Sequence, residues 1–481
     1  MLKRIAHTSK TRPLCVDLDG TLLRGDVLAE SVVVLLKKNP LYLLLLPLWL
    51  LRGKAALKQE IASRVDLDPA LLPYNARFVA WLRRQKAAGR EIILVTASND
   101  KFATAIARHL RLFDAVIASD ERANLKGRRK LERLVEEFGE KQFDYAANGR
   151  VDIPVWRSAA RAIVVNPQAG VRTAAQSLGN VDRLFDDRDS GFMSALRAMR
   201  LHQWLKNLLV FVPLIMAHRM LEPALVLDAA IAFLAFSLCA SSVYLLNDLV
   251  DLPADRQHPT KRNRPLASGN MSIALATGLI PLLLASSLAL SLLLPSAFLL
   301  VIGGYYLATV AYSFYVKRTL LFDVIALAGL FTSRIIAGGA AVAIPISFWL
   351  LAFSMFLFLS LALVKRYVEL RSLPRAANGR AAGRGYKAVD LESMSQFGIA
   401  SGYMAVLVLA LYIDSKAVNL LYGHPEIIWF LCPLVLYLVS RIWLLARRGE
   451  MHDDPIVFAL TDRRSQLIAV AGALLLVAAT L

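Results

Sequence analysis

Between two long apolar stretches, the chain reads N-D-L-V-D-L-P-A-D-R-Q-H-P-T-K-R-N-R-P over residues 247–265. Three carboxylates, Asp248, Asp251 and Asp255, are followed by four Lys and Arg side chains at the mouth of a predicted membrane helix. Carboxylates at the edge of hydrocarbon are costly unless they bind something. Mg²⁺ is bound by a few carboxylates together with waters and substrate phosphates, and arginine and lysine bind the phosphates themselves. The segment therefore predicts a metal–diphosphate site at a membrane surface.

The spacing of the three carboxylates predicts a shared orientation. They fall at i, i+3 and i+7, so they lie on one helix face if the helix continues through them. Pro253 argues against an unbroken helix, and Asp255 is then expected just beyond the helix end. A solvated loop of mixed charge is the alternative interpretation. We favour the binding site because all the acidic groups of the segment come first and all its basic groups follow them.

The composition indicates a membrane protein with a more polar N-terminal part. Hydrophobic residues make up 57% of the 481 residues, and the mean hydropathy of +0.50 is too high for a soluble chain. Residues 1–200 are mixed and charged, whereas residues 201–481 consist of apolar runs between short polar loops. The net charge of +19 suits anionic lipid and phosphorylated substrates. The sequence contains no basic stripe with interleaved aromatic residues, so we expect no nucleic-acid partner.

The cysteines and the N-terminal residues argue against three further features: a disulfide framework, a zinc site and a signal peptide. The three cysteines, Cys15, Cys239 and Cys432, are scattered, which argues against a disulfide framework and against a zinc site. Residues 1–12 are basic but lack an apolar region, so we expect no cleaved signal peptide.

From Leu205 onward we predict nine membrane spans, each near the length needed to cross the hydrocarbon core. The loops after spans two, four, six and eight carry 17 Lys and Arg residues, whereas the opposite loops carry only Arg219 and Lys416. The positive-inside rule then predicts that these basic loops and the N-terminal half face the cytoplasm. The predicted spans centre on residues 205–220, 225–246, 272–293, 296–314, 320–341, 347–364, 397–413, 426–445 and 465–481.

A second group of polar side chains lies around the fourth and fifth spans. Tyr312 and Lys317 end the fourth span, and Asp323 and Arg334 are eleven residues apart in the fifth. Three helical turns place the last two on one helix face, about 16 Å apart. An arginine within a span faces the bundle interior or a wet cavity far more often than lipid. A structural ion pair between helices is the alternative.

A third group belongs to the last two basic loops. Lys365 ends the sixth span and opens a loop whose positive charges are equally consistent with a cytoplasmic retention signal. Asp453, Asp454 and Asp462 lie in the loop before the last span. They are either ligands or counter-charges for the neighbouring arginines.

Nine spans with an N-D-x-x-D-x-x-x-D loop after the second closely resemble the UbiA superfamily of intramembrane prenyltransferases. The likeness covers roughly residues 195–481, and Gln203-Trp204-Leu-Lys206-Asn207 before the first span also fits. By this resemblance Asp248, Asp251 and Asp255 would hold Mg²⁺. The resemblance also implies substrate-binding roles for Asn247, Lys206, Lys261, Arg262, Arg264, Tyr312, Lys317, Asp323, Arg334 and Lys365.

Three strings resemble one branch of that superfamily: D-R-x-H-P-x-K-R-x-R-P from Asp255, R-x-x-A-G-G from Arg334, and K-R-Y-x-E-L from Lys365. The branch transfers 5-phosphoribose to a polyprenyl phosphate. The resemblance thus implies phosphoribosyl pyrophosphate as donor and a polyprenyl phosphate lipid as acceptor. The alternative is a prenyl diphosphate donor with an aromatic acceptor.

The N-terminal part shows strands that end in reactive side chains. Residues 14–22 read L-C-V-D-L-D-G-T-L, an apolar strand followed by Asp17 and Asp19. A second strand ends at Thr96, a lysine follows at Lys126 or Lys130, and a third strand precedes Asn148 and Asp152. Ligands of α/β sheets bind at such strand ends. The order is similar to the haloacid dehalogenase (HAD) superfamily of phosphohydrolases over about residues 12–170.

This resemblance implies Asp17 as the nucleophile and Asp19 as the acid/base. Asp17, Asp19 and Asp152 would bind Mg²⁺, and Thr96 and Lys126 (or Lys130) would hold phosphate oxygens. The superfamily commonly has an aspartate where this chain has Asn148, which removes one charge from the metal site. A non-catalytic phosphate sensor or docking module is the alternative.

The fold class that follows has two parts. We predict an α/β Rossmann-like HAD domain over residues 12–185 and an all-α nine-helix transmembrane bundle of the UbiA type over residues 195–481. The apolar stretch at residues 41–51 is too short to span and is flanked by lysine and arginine, which is typical of an interfacial segment. We therefore expect residues 30–75 to form a helical cap that rests on membrane lipid; an ordinary buried cap helix is the alternative. The protein is expected in a bacterial inner or plasma membrane.

Overall fold

The computed structural model describes residues 11–119, 125, 127–372, 385–415, 418, 422–451 and 454–480. Contacts within the chain divide it into two compact units. The first comprises Met1–Met199 together with Leu245–Leu279, and the second comprises Arg200–Tyr244 together with Ile280–Leu481. The aspartate-rich segment therefore belongs to the same unit as the N-terminal domain, although it lies between two apolar stretches in sequence.

The first unit is built on a six-stranded parallel sheet in the order β3-β2-β1-β4-β5-β6. Its strands are short, nearly continuous apolar runs, as expected for a sheet covered on both faces. β1 lies between β2 and β4, with Cys15 paired to Ile93 on one side and to Tyr145 on the other. Strand order reverses at β1, and ligands of α/β proteins bind at such a point. The strands are β1 Leu14–Val16, β2 Ile92–Asn99, β3 Ala115–Ser119, β4 Asp144–Ala147, β5 Ala162–Val165 and β6 Val181–Phe185.

Nine helices accompany this sheet along the first part of the chain. Four of them lie between β1 and β2, and the first three of these, together with a 3₁₀ turn at Pro69–Leu71, lie where the helical cap is predicted. The helices are α1 Val27–Lys38, α2 Tyr42–Leu51, α3 Lys54–Ala62, α4 Ala76–Ala87, α5 Asp100–Leu110, α6 Arg128–Phe138, α7 Ile153–Ser158, α8 Val171–Gln176 and α9 Gly191–Ala198. The predicted α/β Rossmann-like domain is confirmed.

The rest of the chain is helical, as predicted. Its helices are α10 Val212–Met216, α11 Pro223–Val250, α12 Leu252–Gln257, α13 Ile273–Ser291, α14 Ser296–Phe314, α15 Phe322–Ala341, α16 Phe348–Arg371, α17 Leu391–Ile413, α18 Pro425–Ile428, α19 Leu431–Arg448, α20 Pro455–Thr461 and α21 Arg463–Thr480. Across the described ranges, eight helical stretches are long and apolar enough to cross a membrane. They are Pro223–Val250, Ile273–Ser291, Ser296–Phe314, Phe322–Ala341, Phe348–Arg371, Ala388–Ile413, Pro425–Arg448 and Arg463–Thr480.

The stretch predicted as the first span differs from the expectation. Residues Leu201–Phe211 form a 3₁₀ helix, and α10 adds only five residues after it. Pro213 lies in the first turn of α10, where its missing N–H interrupts the hydrogen bonding that a continuous α-helix needs. His218 then adopts a left-handed backbone conformation with φ of 56°, which ends the stretch. The predicted nine spans thus reduce to eight long helices and one short apolar segment.

The aspartate-rich segment also differs in detail from the expectation. α11 ends at Val250, and Asp251 is the N-cap of α12, which contains Asp255. Pro253 lies in the first turn of α12, a position that tolerates proline because that N–H has no helical partner. Asp255 therefore lies beyond the end of α11, as expected, and within a new short helix.

Candidate active sites

The carboxyl ends of β1, β2 and β4 bring together the predicted phosphatase residues. Asp17 directly follows β1 and is 7% exposed. Its Oδ1 accepts a hydrogen bond of 2.7 Å from Lys130 Nζ, and its Oδ2 accepts one of 3.4 Å from the Thr21 hydroxyl. Lys130 is itself buried in α6 and also donates to the Tyr145 hydroxyl at 2.9 Å. The carboxylate and the ammonium form a buried ion pair at the point where the strand order reverses.

Asp19 is held from two sides. Its Oδ1 accepts a 2.8 Å hydrogen bond from the backbone N–H of Val27 at the start of α1. Its Oδ2 accepts a 2.6 Å hydrogen bond from the hydroxyl of Ser98, at the end of β2. Sequence reasoning did not select Ser98, although its position two residues after Thr96 offered a signal.

Asp152 and Asn148 complete the polar floor of the site. Asp152 Oδ1 accepts from the Tyr145 hydroxyl at 3.0 Å, and its Oδ2 accepts from the Gly149 N–H at 3.1 Å. Lys130 Nζ is 3.7 Å from Asp152 Oδ1, so one ammonium stands between two carboxylates. Asn148 lies against Gly20, whose φ is +75°, and a Cβ on that glycine would lie 2.1 Å from Asn148 Nδ2. Glycine is therefore required at position 20 by both space and backbone conformation.

Burial shifts the protonation of both aspartates. Burial raises the pKa of Asp17 to about 6, although the neighbouring Lys130 lowers it. Burial, with Asp26 as the next cause, raises the pKa of Asp19 to about 7, against the hydrogen bond from Ser98. Perturbed carboxyl groups of this kind cluster at functional sites.

Of the two predicted lysines, Lys130 lies among the described residues. Lys126 lies outside the described residues, whereas Lys130 contacts Asp17 and occupies the position that the alternative gave it. Thr96 is fully buried within β2, which continues three residues beyond the predicted end, and its hydroxyl accepts a 3.0 Å hydrogen bond from the Ser98 N–H. Both residues lie on the elements from which phosphate contacts are expected.

In the aspartate-rich segment, one guanidinium joins two of the predicted metal ligands. Arg264 Nη1 is 3.1 Å from Asp248 Oδ1 and 2.6 Å from Asp255 Oδ2. Both aspartates are buried, and Asp251 is half-buried one helical turn from each. Asn247, at the last turn of α11, accepts the Asp251 N–H through its backbone carbonyl. Lys261 is half-buried and Arg262 exposed in a 3₁₀ turn at Lys261–Asn263.

The interior of the second unit contains buried cations. Lys206 and Lys365 both donate to Oδ2 of Asp454, the latter at 3.0 Å. Burial alone would raise the pKa of Asp454, but Lys365 and Lys206 outweigh it and hold that pKa below its usual range. Asp454 thus acts as a counter-charge for two lysines that resemblance assigns to substrate. Asp453, the neighbouring alternative, lies outside the described residues.

Arg334 lies in the same unit, buried within α15. Its Nε donates to Asn207 Oδ1 at 2.9 Å, and its guanidinium carbon lies 5.2 Å from the ring centre of Phe236 and 5.3 Å from that of Phe331. The Tyr305 hydroxyl lies 3.4 Å from Nη2. Arg334 therefore faces the bundle interior, in keeping with the expectation for an arginine in a span.

Asp323 is placed differently from the other predicted substrate residues. It is fully buried and accepts from Arg366 Nε at 2.8 Å and from the Tyr386 hydroxyl. Tyr312 accepts from Arg366 Nη2 at 2.9 Å. Because both oxygens of Asp323 already have protein donors, we interpret it as one half of the ion pair between helices, the alternative given above. Lys317 is half-buried in a 3₁₀ turn at Val316–Arg318.

The donor sets suit a divalent cation that also binds substrate. Within the described ranges, no three His, Cys, Asp or Glu side chains come together at metal-binding distances. Asp248 and Asp255 nevertheless converge on a single cationic nitrogen, and Asp17, Asp19 and Asp152 supply carboxylate oxygens on the other site. Mg²⁺ is commonly bound by one or two carboxylates with waters and substrate phosphates completing its shell. Both sets of residues fit that pattern.

Comparison with known proteins identifies both parts of the chain. The model of the UbiA prenyltransferase family matches residues 208–462, and that of the haloacid dehalogenase-like hydrolases matches residues 14–155. The chain belongs to the UbiA prenyltransferase family. It carries a HAD-like domain at its N-terminus, so both predicted resemblances are confirmed, as is the assignment of the protein to the transferases.

Relatives of this UbiA family member include proteins with and without the extra domain. The y4nM protein of Sinorhizobium fredii is 38% identical over 461 residues, which cover 95% of this chain and 89% of that protein. The decaprenyl-phosphate phosphoribosyltransferase of Mycolicibacterium smegmatis is 31% identical over 282 residues, which cover 57% of this chain and 89% of that enzyme. A UbiA homolog from Archaeoglobus fulgidus, solved with GPP and Mg²⁺, covers 59% of this chain and 99% of its own at 18% identity, with a TM-score of 0.47.

Proposed function

We propose that the membrane part transfers 5-phosphoribose from phosphoribosyl pyrophosphate to a polyprenyl phosphate. We propose further that the HAD-like domain removes the 5-phosphate from that lipid product. The observation that carries the first step is the pair of buried cations in the second unit, Lys206 and Arg334, together with the half-buried Lys365. Buried cations are costly unless anionic groups compensate them. Within the described part of the chain, Asp454 alone pairs with both Lys206 and Lys365, so two phosphate-bearing substrates would supply the further negative charge that three cations can bind.

The sequence relatives support the same donor and acceptor. Decaprenyl-phosphate phosphoribosyltransferases are 31% identical to this chain over nearly the whole of their length. Their name specifies a lipid phosphate acceptor and a phosphoribosyl group. The three strings that begin at Asp255, Arg334 and Lys365 are those on which the resemblance to this branch rests.

The transfer requires little proton chemistry. A phosphate oxygen of the polyprenyl phosphate would attack C1 of the ribose while the bond from C1 to the pyrophosphate oxygen breaks. The acceptor is already anionic at neutral pH, so no strong general base is needed, and positioning and charge neutralisation carry the catalysis. Mg²⁺ bound to Asp248, Asp251 and Asp255 would neutralise charge on the leaving pyrophosphate. Arg264, Lys261 and Arg262 follow those aspartates and would bind donor phosphate oxygens.

The second step uses the site around Asp17. The Asp17 carboxylate would attack the phosphorus of the 5-phosphate, and Asp19 would donate a proton to the departing ribose oxygen. Lys130 would hold a phosphate oxygen and the Asp17 carboxylate together. Water then cleaves the aspartyl phosphate, with Asp19 accepting the proton. Mg²⁺ held by Asp17, Asp19 and Asp152 would compensate the charge of the phosphate.

The cap supports a lipid-linked substrate for this second step. α2 exposes leucines on several sides, with Leu44 71% and Leu51 85% exposed. Lys38 and Lys54, at its two flanks, are exposed as well. Apolar side chains between cationic flanks are typical of segments that lie in the interface of an anionic membrane. We propose that α2 rests on the bilayer and that the HAD-like domain, with the basic loops, faces the cytoplasm of a bacterial inner membrane.

The test uses the purified full-length protein with phosphoribosyl pyrophosphate, a polyprenyl phosphate and Mg²⁺. Release of pyrophosphate, with a ribosylated lipid seen by mass spectrometry, is the expected outcome. No release, together with consumption of a prenyl diphosphate and an aromatic acceptor, would establish the alternative transferase activity. For the second step, Asp17→Asn should cause the 5-phosphorylated lipid to accumulate. An unchanged lipid profile would favour a non-catalytic role for the HAD-like domain, for which Asn148 is the supporting feature.

A further inference from the structure

A buried ion pair joins the first helix of the HAD-like domain to the aspartate-rich segment. Glu30, in the first turn of α1, accepts from Arg256 Nη1 at 3.0 Å and from Arg256 Nη2 at 2.6 Å. Glu30 is 4% exposed, and Arg256 directly follows Asp255 in α12. The remaining donor of the guanidinium, Nε, lies 3.1 Å from the carbonyl oxygen of Ala267. The Glu30 carboxylate thus fixes Arg256, which in turn connects α12 to the backbone of Ala267 near the other end of the segment.

A second set of contacts fixes the same segment farther along. Arg24 Nη1 donates to Asn270 Oδ1 at 2.8 Å, and Arg24 Nη2 donates to Asp187 Oδ2 at 2.9 Å. Gly269 has a φ of +76°, and a Cβ there would lie 2.7 Å from the Cβ of Arg24. The turn that leads into α13 is therefore packed directly on the HAD-like domain.

The start of α1 touches the phosphatase site as well. The Val27 N–H donates to Asp19, and Glu30 lies one helical turn farther along. The first turn of α1 therefore contacts Asp19, the candidate acid/base of the phosphatase site. The same turn also contacts Arg256, which is next to Asp255, a candidate metal ligand of the transferase. Because the pair is bidentate and buried, removing the Glu30 charge leaves a buried guanidinium without its counter-charge.

We propose that Glu30 is a positioning residue for the transferase: through Arg256 it holds Asp255 and the segment at residues 252–271 in the geometry that receives the metal and the donor diphosphate. This inference rests on the proposed phosphoribosyl transfer. It gives the HAD-like domain a scaffolding role in the first reaction, separate from any hydrolysis by Asp17. The Asp17→Asn protein should accordingly retain the transfer while losing only dephosphorylation.

The experiment is a double-mutant cycle on the full-length protein with Glu30→Gln, Arg256→Gln and the double variant. Each single variant should raise the Mg²⁺ concentration for half-maximal pyrophosphate release about 10-fold or more, with a smaller effect on kcat. The double variant should need no higher Mg²⁺ concentration for half-maximal pyrophosphate release than either single variant. Glu132→Gln, which removes an exposed pair with Arg128, is the matched control and should match wild type.

Hydrogen exchange provides a readout that does not depend on the donor. Exchange at residues 252–271 should rise in the Glu30→Gln protein, while the strands of the sheet keep their protection. Three results would each overturn the proposal. The first is wild-type kinetics and exchange in the Glu30→Gln protein, and the second is additive losses of Mg²⁺ dependence in the double variant. The third is a rise in exchange that is spread evenly over the sheet. If the wild-type protein releases no pyrophosphate, the proposed transfer is wrong, and the exchange comparison still tests whether Glu30 orders the segment.

Discussion

Lys130 Nζ lies 2.7 Å from Asp17 Oδ1, and both side chains are almost fully enclosed at the carboxyl ends of the central strands. A nucleophilic carboxylate next to an ammonium stays ionised despite its burial, and the same ammonium can bind the phosphate that the carboxylate attacks. This pair is the feature on which hydrolysis by the HAD-like domain depends.

Replacing Lys130 should therefore abolish hydrolysis. Lys130→Ala is expected to lower the rate of phosphomonoester hydrolysis by about 100-fold or more, because the phosphate loses a buried cationic contact. Ribose 5-phosphate with Mg²⁺ is a suitable soluble substrate, and Lys126→Ala is the comparison. Equal losses in the two variants would contradict the assignment of Lys130 as the phosphate-binding lysine.

The two buried aspartates should give hydrolysis a bell-shaped pH dependence. Asp17 must lose its proton to attack, so the rate should fall below about pH 6, the raised pKa of that group. Asp19 must carry a proton for the leaving oxygen, so the rate should fall above about pH 7. A cation bound beside Asp17 favours its charged form, so higher Mg²⁺ should move the acidic limb to lower pH. A rate that is flat from about pH 5 to about pH 9 would exclude this acid/base pair.

Removing either carboxylate that contacts Arg264 should impair the transferase. Asp248→Asn and Asp255→Asn are each expected to lower pyrophosphate release by about 100-fold or more, since each removes a charged oxygen ligand beside the leaving group. Asp414→Asn, at an exposed position after α17, is the control and should match wild type. Initial rates at several Mg²⁺ concentrations would show whether the loss reflects weaker metal binding.

The ion pair of Asp323 and Arg366 should contribute to stability. Among the described residues, two carboxylates pair with the Arg366 guanidinium; Asp323→Asn removes the buried one and leaves the more exposed Glu369, so the cost is up to about 3–5 kcal/mol. We expect a clear fall in the Tm of the detergent-solubilised protein, measured by thermal unfolding. Tyr386→Phe, which removes one neutral hydrogen bond to the same carboxylate, should have a smaller effect. A variant with wild-type Tm but altered donor KM would instead return Asp323 to the substrate-binding group.

The exposed leucines of α2 should matter for lipid substrates alone. Leu44→Ser combined with Leu48→Ser reduces the apolar surface that the cap can place in a membrane interface. Hydrolysis of a lipid-linked phosphomonoester in anionic vesicles should fall several-fold, while hydrolysis of ribose 5-phosphate stays unchanged. Equal rates on the lipid substrate would support the ordinary cap helix.

Local sequence signals predicted both folds and the short-range parts of both sites. The strand that ends at Asp17, the hydroxyl at Thr96 and the N-D-x-x-D string each carry their information within a few neighbouring residues. Lys126 and Lys130 are only four residues apart, so spacing alone could not decide between them. The first predicted span corresponds to a shorter apolar stretch, Leu201–Met216, because hydropathy does not register the missing N–H of Pro213.

Pairs that are distant in sequence could not be predicted. Lys206 and Asp454 are 248 residues apart, and Glu30 and Arg256 are 226 residues apart. Nothing in one chain segment indicates which of many charges elsewhere will become its partner, since pairing follows from the packing of whole elements. The burial of Asp323 could not be predicted either, because its position in the sequence fits a substrate ligand as well as one half of a structural ion pair.

The ion pair of Glu30 and Arg256 has a consequence for dissecting the protein. The two family domains are separate in sequence, and a polypeptide that begins at residue 195 would contain every predicted membrane helix. It would also begin beyond Glu30 and Arg24, and would leave Arg256 and Asn270 without these partners. We expect such a polypeptide to be produced poorly or to aggregate, whereas co-expression with residues 1–194 should recover it. The unit that can be inherited, cut or exchanged is then larger than either domain.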